Sequence, residues 1–227
     1  MKRISKRYKL LKKSKETKKI FSIEDAISNL KKSSNAKFDE SIDISLKLNL
    51  KQSKGGDATI RSVINLPHGS GKKLTVAVLC EQEKIQEAKK SGADTVGSDE
   101  LLEDISKGKL NFNKLICTPK MMSKIGKYGK ILGPKGLMPN PKLGTVASDI
   151  KKAVIDIKSG LIEIKNDKDF NLASSIGRKS FSKENLKENC LKFIENLKKE
   201  KPANIKGEFI KGVYLTSTMG LSYKVEA

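Results

Sequence analysis

Polar and apolar residues alternate over positions 41–48, with Ile42, Ile44, Leu46 and Leu48 on one side. That is the period of a strand with one buried face. Upstream, Ser22 stands where an N-cap belongs, with Asp25 three residues on and Ile23, Ile27 and Leu30 at helical spacing, so a helix starts there. Gly55-Gly56-Asp57 reads as a turn, and Ile60, Ile64 and Leu66 as a second, less regular strand. At Pro67-His68-Gly69-Ser70-Gly71 the texture changes. Residues 74–80 are almost all apolar, the mark of a strand covered on both faces. A polar helical stretch (83–91), Asp94-Thr95-Val96-Gly97, a helix over about 99–107 and apolar Leu115-Ile116-Cys117 follow. Such alternation predicts parallel βαβ units in a small Rossmann-like, three-layer arrangement. Residues 126–141 hold four glycines and three prolines, which predicts a loop without regular structure.

One-sided patterns return from about residue 160. Leu161-Ile162-Glu163-Ile164 reads as a strand, and Ser182 caps a helix with Leu186, Cys190, Phe193, Ile194 and Leu197 on one stripe, stopped by Pro202. Residues 213–216 read as a closing strand. Both ends are α+β and the middle is α/β. The expectation is an α/β protein whose discontinuous α+β outer domain, residues 1–66 and 159–227, carries an antiparallel sheet. A Rossmann-like domain, residues 67–158, is inserted in it. The paired crossings at Leu66-Pro67 and Lys158-Ser159 are the expected hinge.

Charge narrows the function. Lys and Arg total 47 against 26 acids among 227 residues, a net +21. That excess calls for a polyanionic partner. The outer domain carries +14 of it, and residues 1–19 alone hold ten basic residues and one acid. Only Arg3, Arg7, Arg61 and Arg178 are arginines, and lysine suits phosphate backbones better than bidentate reading of base edges. No apolar run approaches a membrane span, and the basic start has no apolar core of a secretory signal. Three unspaced cysteines fit a reduced cytoplasmic compartment.

Catalytic signatures are missing. Residues 66–73 have Leu66 where a phosphate-binding loop needs glycine and Lys73 where it needs Ser or Thr. The dinucleotide fingerprint is absent near every strand of the insert. A single histidine, His68, in a Pro/Gly turn excludes a His-based metal site. No catalytic residue, metal or cofactor is expected. Four places carry nucleic-acid chemistry instead: the basic arm, Lys37-Phe38-Asp39-Glu40-Ser41, Ser217-Thr218-Met219-Gly220, and the loop around Gly133, Lys135 and Gly136 flanked by Lys127, Lys130 and Lys142. A large aromatic beside a cation suits stacking on bases, and a hydroxyl-rich loop suits 2′-OH or phosphate groups. Each has a plain alternative: a solvated helix for the basic arm, core for Phe38, an ordinary loop for the other two.

Gly133-Pro134-Lys135-Gly136-Leu137-Met138-Pro139-Asn140-Pro141, followed by Gly144-Thr145-Val146, resembles the signature of the bacterial large-subunit ribosomal protein one family, the "L-one" proteins of the mobile stalk. Agreement extends to Lys6-Arg7-Tyr8, Lys37-Phe38-Asp39-Glu40, the stretch from Leu66 to Lys72, Gly92-Ala93-Asp94 and Ser217-Thr218-Met219-Gly220. The resemblance implies a non-enzymatic protein of the inserted two-domain topology, on cytoplasmic ribosomes and monomeric off them. Its implied partners are large-subunit rRNA, exit-site tRNA and its own messenger, and no membrane. It implies rRNA contacts at Lys37, Phe38, Glu40 and Ser41, at Arg178, and at Ser217, Thr218, Met219 and Gly220, with Glu40 accepting from a ribose 2′-OH. Lys130, Gly133, Lys135, Gly136 and Lys142 form the candidate second RNA surface. Ser41 and Arg178 stand where many members have threonine and lysine, so hydroxyl and cation survive. Ala173 replaces a common histidine, and Leu50-Lys51 a common Asp-Pro turn.

Overall fold

The computed structural model describes residues 5–13, 20–50, 60–202 and 207–226. The expected turn at Gly55-Gly56-Asp57 lies outside the described residues. Two compact units emerge, Met1–Gly71 with Ile162–Ala227, and Lys72–Leu161. The first, the outer unit, begins with helices α1 (Lys6–Lys13) and α2 (Ile23–Ser33) and strands β1 (Ser41–Leu48) and β2 (Arg61–Asn65). Ser22 caps α2 by accepting from the Asp25 N–H at 3.2 Å, and Ala26, Ile27 and Leu30 point into the core. In β1 the even-numbered Ile42, Ile44, Leu46 and Leu48 are all buried, as the alternation requires.

The second unit, the insert, contains β3 (Val76–Leu79), α3 (Ile85–Lys90), β4 (Thr95–Gly97), α4 (Asp99–Ser106) and β5 (Lys114–Cys117). Its strands are parallel in the order β4-β3-β5. Two short helices, α5 (Met122–Ile125) and α6 (Gly129–Leu132), precede α7 (Ile150–Ser159). Alternation along β3 and β5 builds the three layers. Ala77, Leu79, Leu115 and Cys117 join Leu101, Leu102 and Ile105 of α4 on one face. Val76, Val78 and Ile116 join Ala88 of α3 and Ile150, Val154 and Ile157 of α7 on the other.

From the last residue of the insert β6 (Leu161–Lys165) runs into the outer unit, followed there by β7 (Asn171–Arg178), α8 (Lys183–Lys199), β8 (Ile210–Ser217) and β9 (Ser222–Val225). An antiparallel sheet runs β7-β1-β8-β9, and β2 with β6 forms a separate pair. Ser182 caps α8 through the Asn185 N–H at 3.1 Å, and the predicted stripe from Leu186 to Leu197 is buried.

Three expectations need correction. Residues 126–141 are not free of regular structure: Gly126–Tyr128 makes a 3₁₀ turn and Gly129–Leu132 an α turn. Gly126 and Gly129 take ordinary right-handed helical angles there, and burial of Ile125 and Leu132 outweighs their low helix propensity. The strand at 213–216 does not close the chain, because β9 pairs beside it. Strand β7 and helix α7 also lie where the sequence pattern suggested no element.

Candidate nucleic-acid interface

Three chain segments meet at one end of the four-stranded sheet: the lead into β1, the exit from β7, and the β8–β9 turn. Register brings them together, since Ser41 lies opposite Arg178 and Ile42 opposite Ser217. The ladder then continues past the strands. The Thr218 N–H donates to the Ser41 carbonyl at 3.1 Å, and the Ser41 N–H donates to Thr218 Oγ1 at 3.0 Å.

Beneath this lies Glu40, fully buried. Its Oε1 accepts from the Ala36 N–H and its Oε2 from the Met219 N–H, each at 3.1 Å. Burial works against its ionisation. The donors outweigh burial: the Met219 N–H, the neighbouring Ser217 hydroxyl, the Ala36 N–H and the positive Lys179 together hold the carboxyl below its ordinary range. The Ser217 hydroxyl itself forms no well-shaped hydrogen bond; a Cβ on Gly220 would come within 2.1 Å of its oxygen, so the turn admits only glycine without a shift. Glu40 was expected as an open acceptor for RNA. In this state its oxygens are spent on the backbone of the two loops that flank it.

Asp39 and Arg178 fasten the third segment. Asp39 accepts from the Ser180 N–H at 3.1 Å and the Ser180 hydroxyl at 2.8 Å, while Arg178 Nη1 donates to the Asp39 carbonyl at 3.1 Å. The glycine-rich turn after β2 supports this arginine. Gly71 has φ +71°, and a Cβ there would meet the Arg178 stem at 2.7 Å. Asn189 of α8 pins the same turn, accepting from the His68 N–H at 3.1 Å and donating to the Gly69 carbonyl at 3.0 Å. The histidine ring pairs with Glu188 at 2.6 Å.

With the polar groups tied down, two large apolar side chains stand out: Phe38, 53% exposed, and Met219, 47% exposed. Lys37 and Thr218 are exposed around them, with Ser41, Arg178 and Gly220 half-buried. One residue of the basic arm, to which the sequence reading gave no contact of its own, joins them. Arg7 of α1 donates to the Met219 carbonyl at 2.7 Å and to Asn35 Oδ1 at 3.1 Å.

In the insert, Lys130, Gly133, Lys135, Gly136 and Lys142 are all exposed. The loop carrying them is ordered. Gly136 takes φ +67°, a Cβ at Gly133 would lie 2.7 Å from the Gly129 carbonyl oxygen, and Thr145 Oγ1 ties both the Asn140 N–H (2.7 Å) and the Asn140 carbonyl (3.1 Å). Of the expected hinge residues, Leu66 is buried in the outer unit's core and Pro67 lies in the exposed turn after it. Lys158 binds the Gly92 carbonyl at 2.6 Å and Asp94 at 3.1 Å, and Ser159 ends α7.

The cysteines are buried, with desolvation pushing the thiols of Cys117 to about 11 and Cys190 to about 12. No cluster of metal-ligating side chains occurs among the described residues, and no helix there is long and apolar enough to cross a membrane.

The sequence profile of the ribosomal protein L1p/L10e family matches residues 30–221. The chain belongs to this family. A protein of Pelagibacter ubique named large ribosomal subunit protein uL1 is 56% identical over 205 residues, 90% of this chain and 89% of its own. Its namesake in Kosmotoga olearia is 49% identical over 222 residues, 98% and 96% of the two chains. One in Rickettsia canadensis is 45% identical over 207 residues, 91% and 86%. Both loop motifs at the end of the outer sheet, residues 37–41 and 217–220, fall inside the family match, whereas α1 precedes it.

Proposed function

We propose that this chain, a structural and non-enzymatic component of the large ribosomal subunit in the cytoplasm, grips folded rRNA through the end of its outer sheet. The observation that carries the reading is the exposure of Phe38 and Met219 on two loops that Glu40 joins at one end of the sheet. A fold gains nothing by leaving two such side chains in water at one end of its sheet. Unstacked or splayed bases supply the apolar faces they lack. Lys37 and Arg178 add positive charge for phosphates, and Ser41 and Thr218 offer hydroxyls near ribose; Ser217, expected beside them from the sequence, is buried with its hydroxyl closed off from solvent and drops out of the contact set. Glu40 acts here as the buried organiser of the loops.

The reading extends to two further RNA partners. A messenger that folds into the same shape as the rRNA element would compete for the same loops, which makes repression of its own translation a secondary role. Exit-site tRNA is the partner proposed for the insert's lysines at 130, 135 and 142, with the crossings between the units as the hinge and a monomer as the free form.

Phe38→Ala and Met219→Ala test the site. Each should weaken binding to a stalk rRNA fragment by about 1–3 kcal/mol. Both side chains are half in solvent, so thermal midpoints should stay near wild type. Unchanged binding isotherms for both variants would refute the assignment.

A further inference from the structure

One contact joins parts of the sequence far from each other: from Arg7, on α1, to Met219, in the β8–β9 turn. Both hydrogen-bonding groups of the Met219 backbone are engaged by charged side chains. Its N–H donates to the buried Glu40 carboxylate at 3.1 Å, and its carbonyl accepts from Arg7 Nη2 at 2.7 Å. The same two side chains hold the opposite loop, Glu40 through the Ala36 N–H and Arg7 through the Asn35 side chain at 3.1 Å. An anion and a cation thus bridge the loop before β1 to the β8–β9 turn, one from below and one from α1. Charge-assisted hydrogen bonds are the stronger kind, and they are directional.

The helix is built to deliver this one arginine. Arg7 and Leu11 are four residues apart and share a face. Leu11 is buried in the outer core and Arg7 is half-buried, while Lys6, Lys9, Lys12 and Lys13 all stay exposed. We infer that Arg7 is a positioning residue: docking of α1 sets the Met219 turn in the shape that meets RNA, and Arg7 acts through that turn and not by touching a phosphate. The inference rests on the RNA-binding reading above for its consequence, though not for its geometry.

The two roles predict different behaviour. A lysine keeps the charge, so it would serve a phosphate nearly as well, but one ammonium does not reproduce the planar fork that reaches Asn35 and Met219 together. If Arg7 positions the turn, R7K and R7A should both weaken stalk rRNA binding by about tenfold, the scale of one lost charged hydrogen bond. The slope of log affinity against log salt should stay at the wild-type value, and the loss from R7A should shrink in a Met219→Ala background. In the free protein, hydrogen exchange at the Met219 amide, which donates to Glu40, should speed up in both variants. Wild-type affinity in R7K, a salt slope in R7A lowered by roughly 0.7–0.9, or unchanged Met219 exchange would each overturn the inference. Failure of the RNA-binding reading looks different: the wild-type protein would not prefer the stalk fragment over a generic duplex, and the exchange measurement would still decide whether Arg7 holds the turn.

Discussion

Glu40 shows how a single residue makes the site. A carboxylate buried in an apolar setting would ordinarily be protonated; here two backbone N–H groups and a nearby lysine favour the ion. Glu40→Gln keeps the shape but can accept with only one oxygen, leaving the Ala36 or the Met219 N–H facing an NH₂ group. Leaving one buried donor unpaired costs about 1–3 kcal/mol. The sign of the pH dependence follows from the carboxyl lying below its ordinary range when folded. Its contribution is complete above the unfolded carboxyl value of about 4.3 and disappears as pH falls through the lower folded one. The stability gap between wild type and Glu40→Gln, measured by urea unfolding, should therefore be constant at neutral pH and narrow below about pH 4. A gap that widened on acidification would contradict this account of the loops.

Elements were legible in proportion to how local their causes are. The alternation in β1, the caps at Ser22 and Ser182 and the stripe of α8 are written in neighbouring residues, and all four appear as predicted. Strand β7 was not legible. Its run Asn-Leu-Ala-Ser-Ser-Ile-Gly-Arg offers only Leu172 and Ile176 as large apolar residues, and its place is set by pairing with β1 from far along the chain. Gly177 shows the same dependence, because a Cβ there would meet Leu186 of α8 at 2.7 Å. Asn189 was also invisible as a site support, reading as one polar residue on a helix. It is fully buried, and its amide donates to the carbonyls of Gly69 and Ile176 while its oxygen takes the His68 N–H. Asn189→Ala should cost about 1–3 kcal/mol for each buried partner left unpaired. Because the turn it pins lies under Arg178, it should also weaken RNA binding. A drop in thermal midpoint with unaltered RNA affinity would separate α8 from the site.

At the scale of the molecule, the net charge of +21 and the apolar pair make separable contributions. Lysines spread over both units attract any nucleic acid, and that attraction is lost as salt rises. On the proposed reading, Phe38 and Met219, set at one end of one sheet, contribute only where RNA has the matching shape. Composition could announce the first and not the second, since exposure of these two side chains depends on where Glu40, Thr218 and Arg178 hold their loops. The most direct test of that division is a salt titration of binding to a stalk rRNA fragment, a generic RNA duplex and a DNA duplex. Affinity for all three should fall, by a log–log slope of roughly 0.7–0.9 per phosphate contacted. The account predicts that the stalk fragment stays bound at salt that strips the other two; loss of all three together would mean that charge alone does the binding.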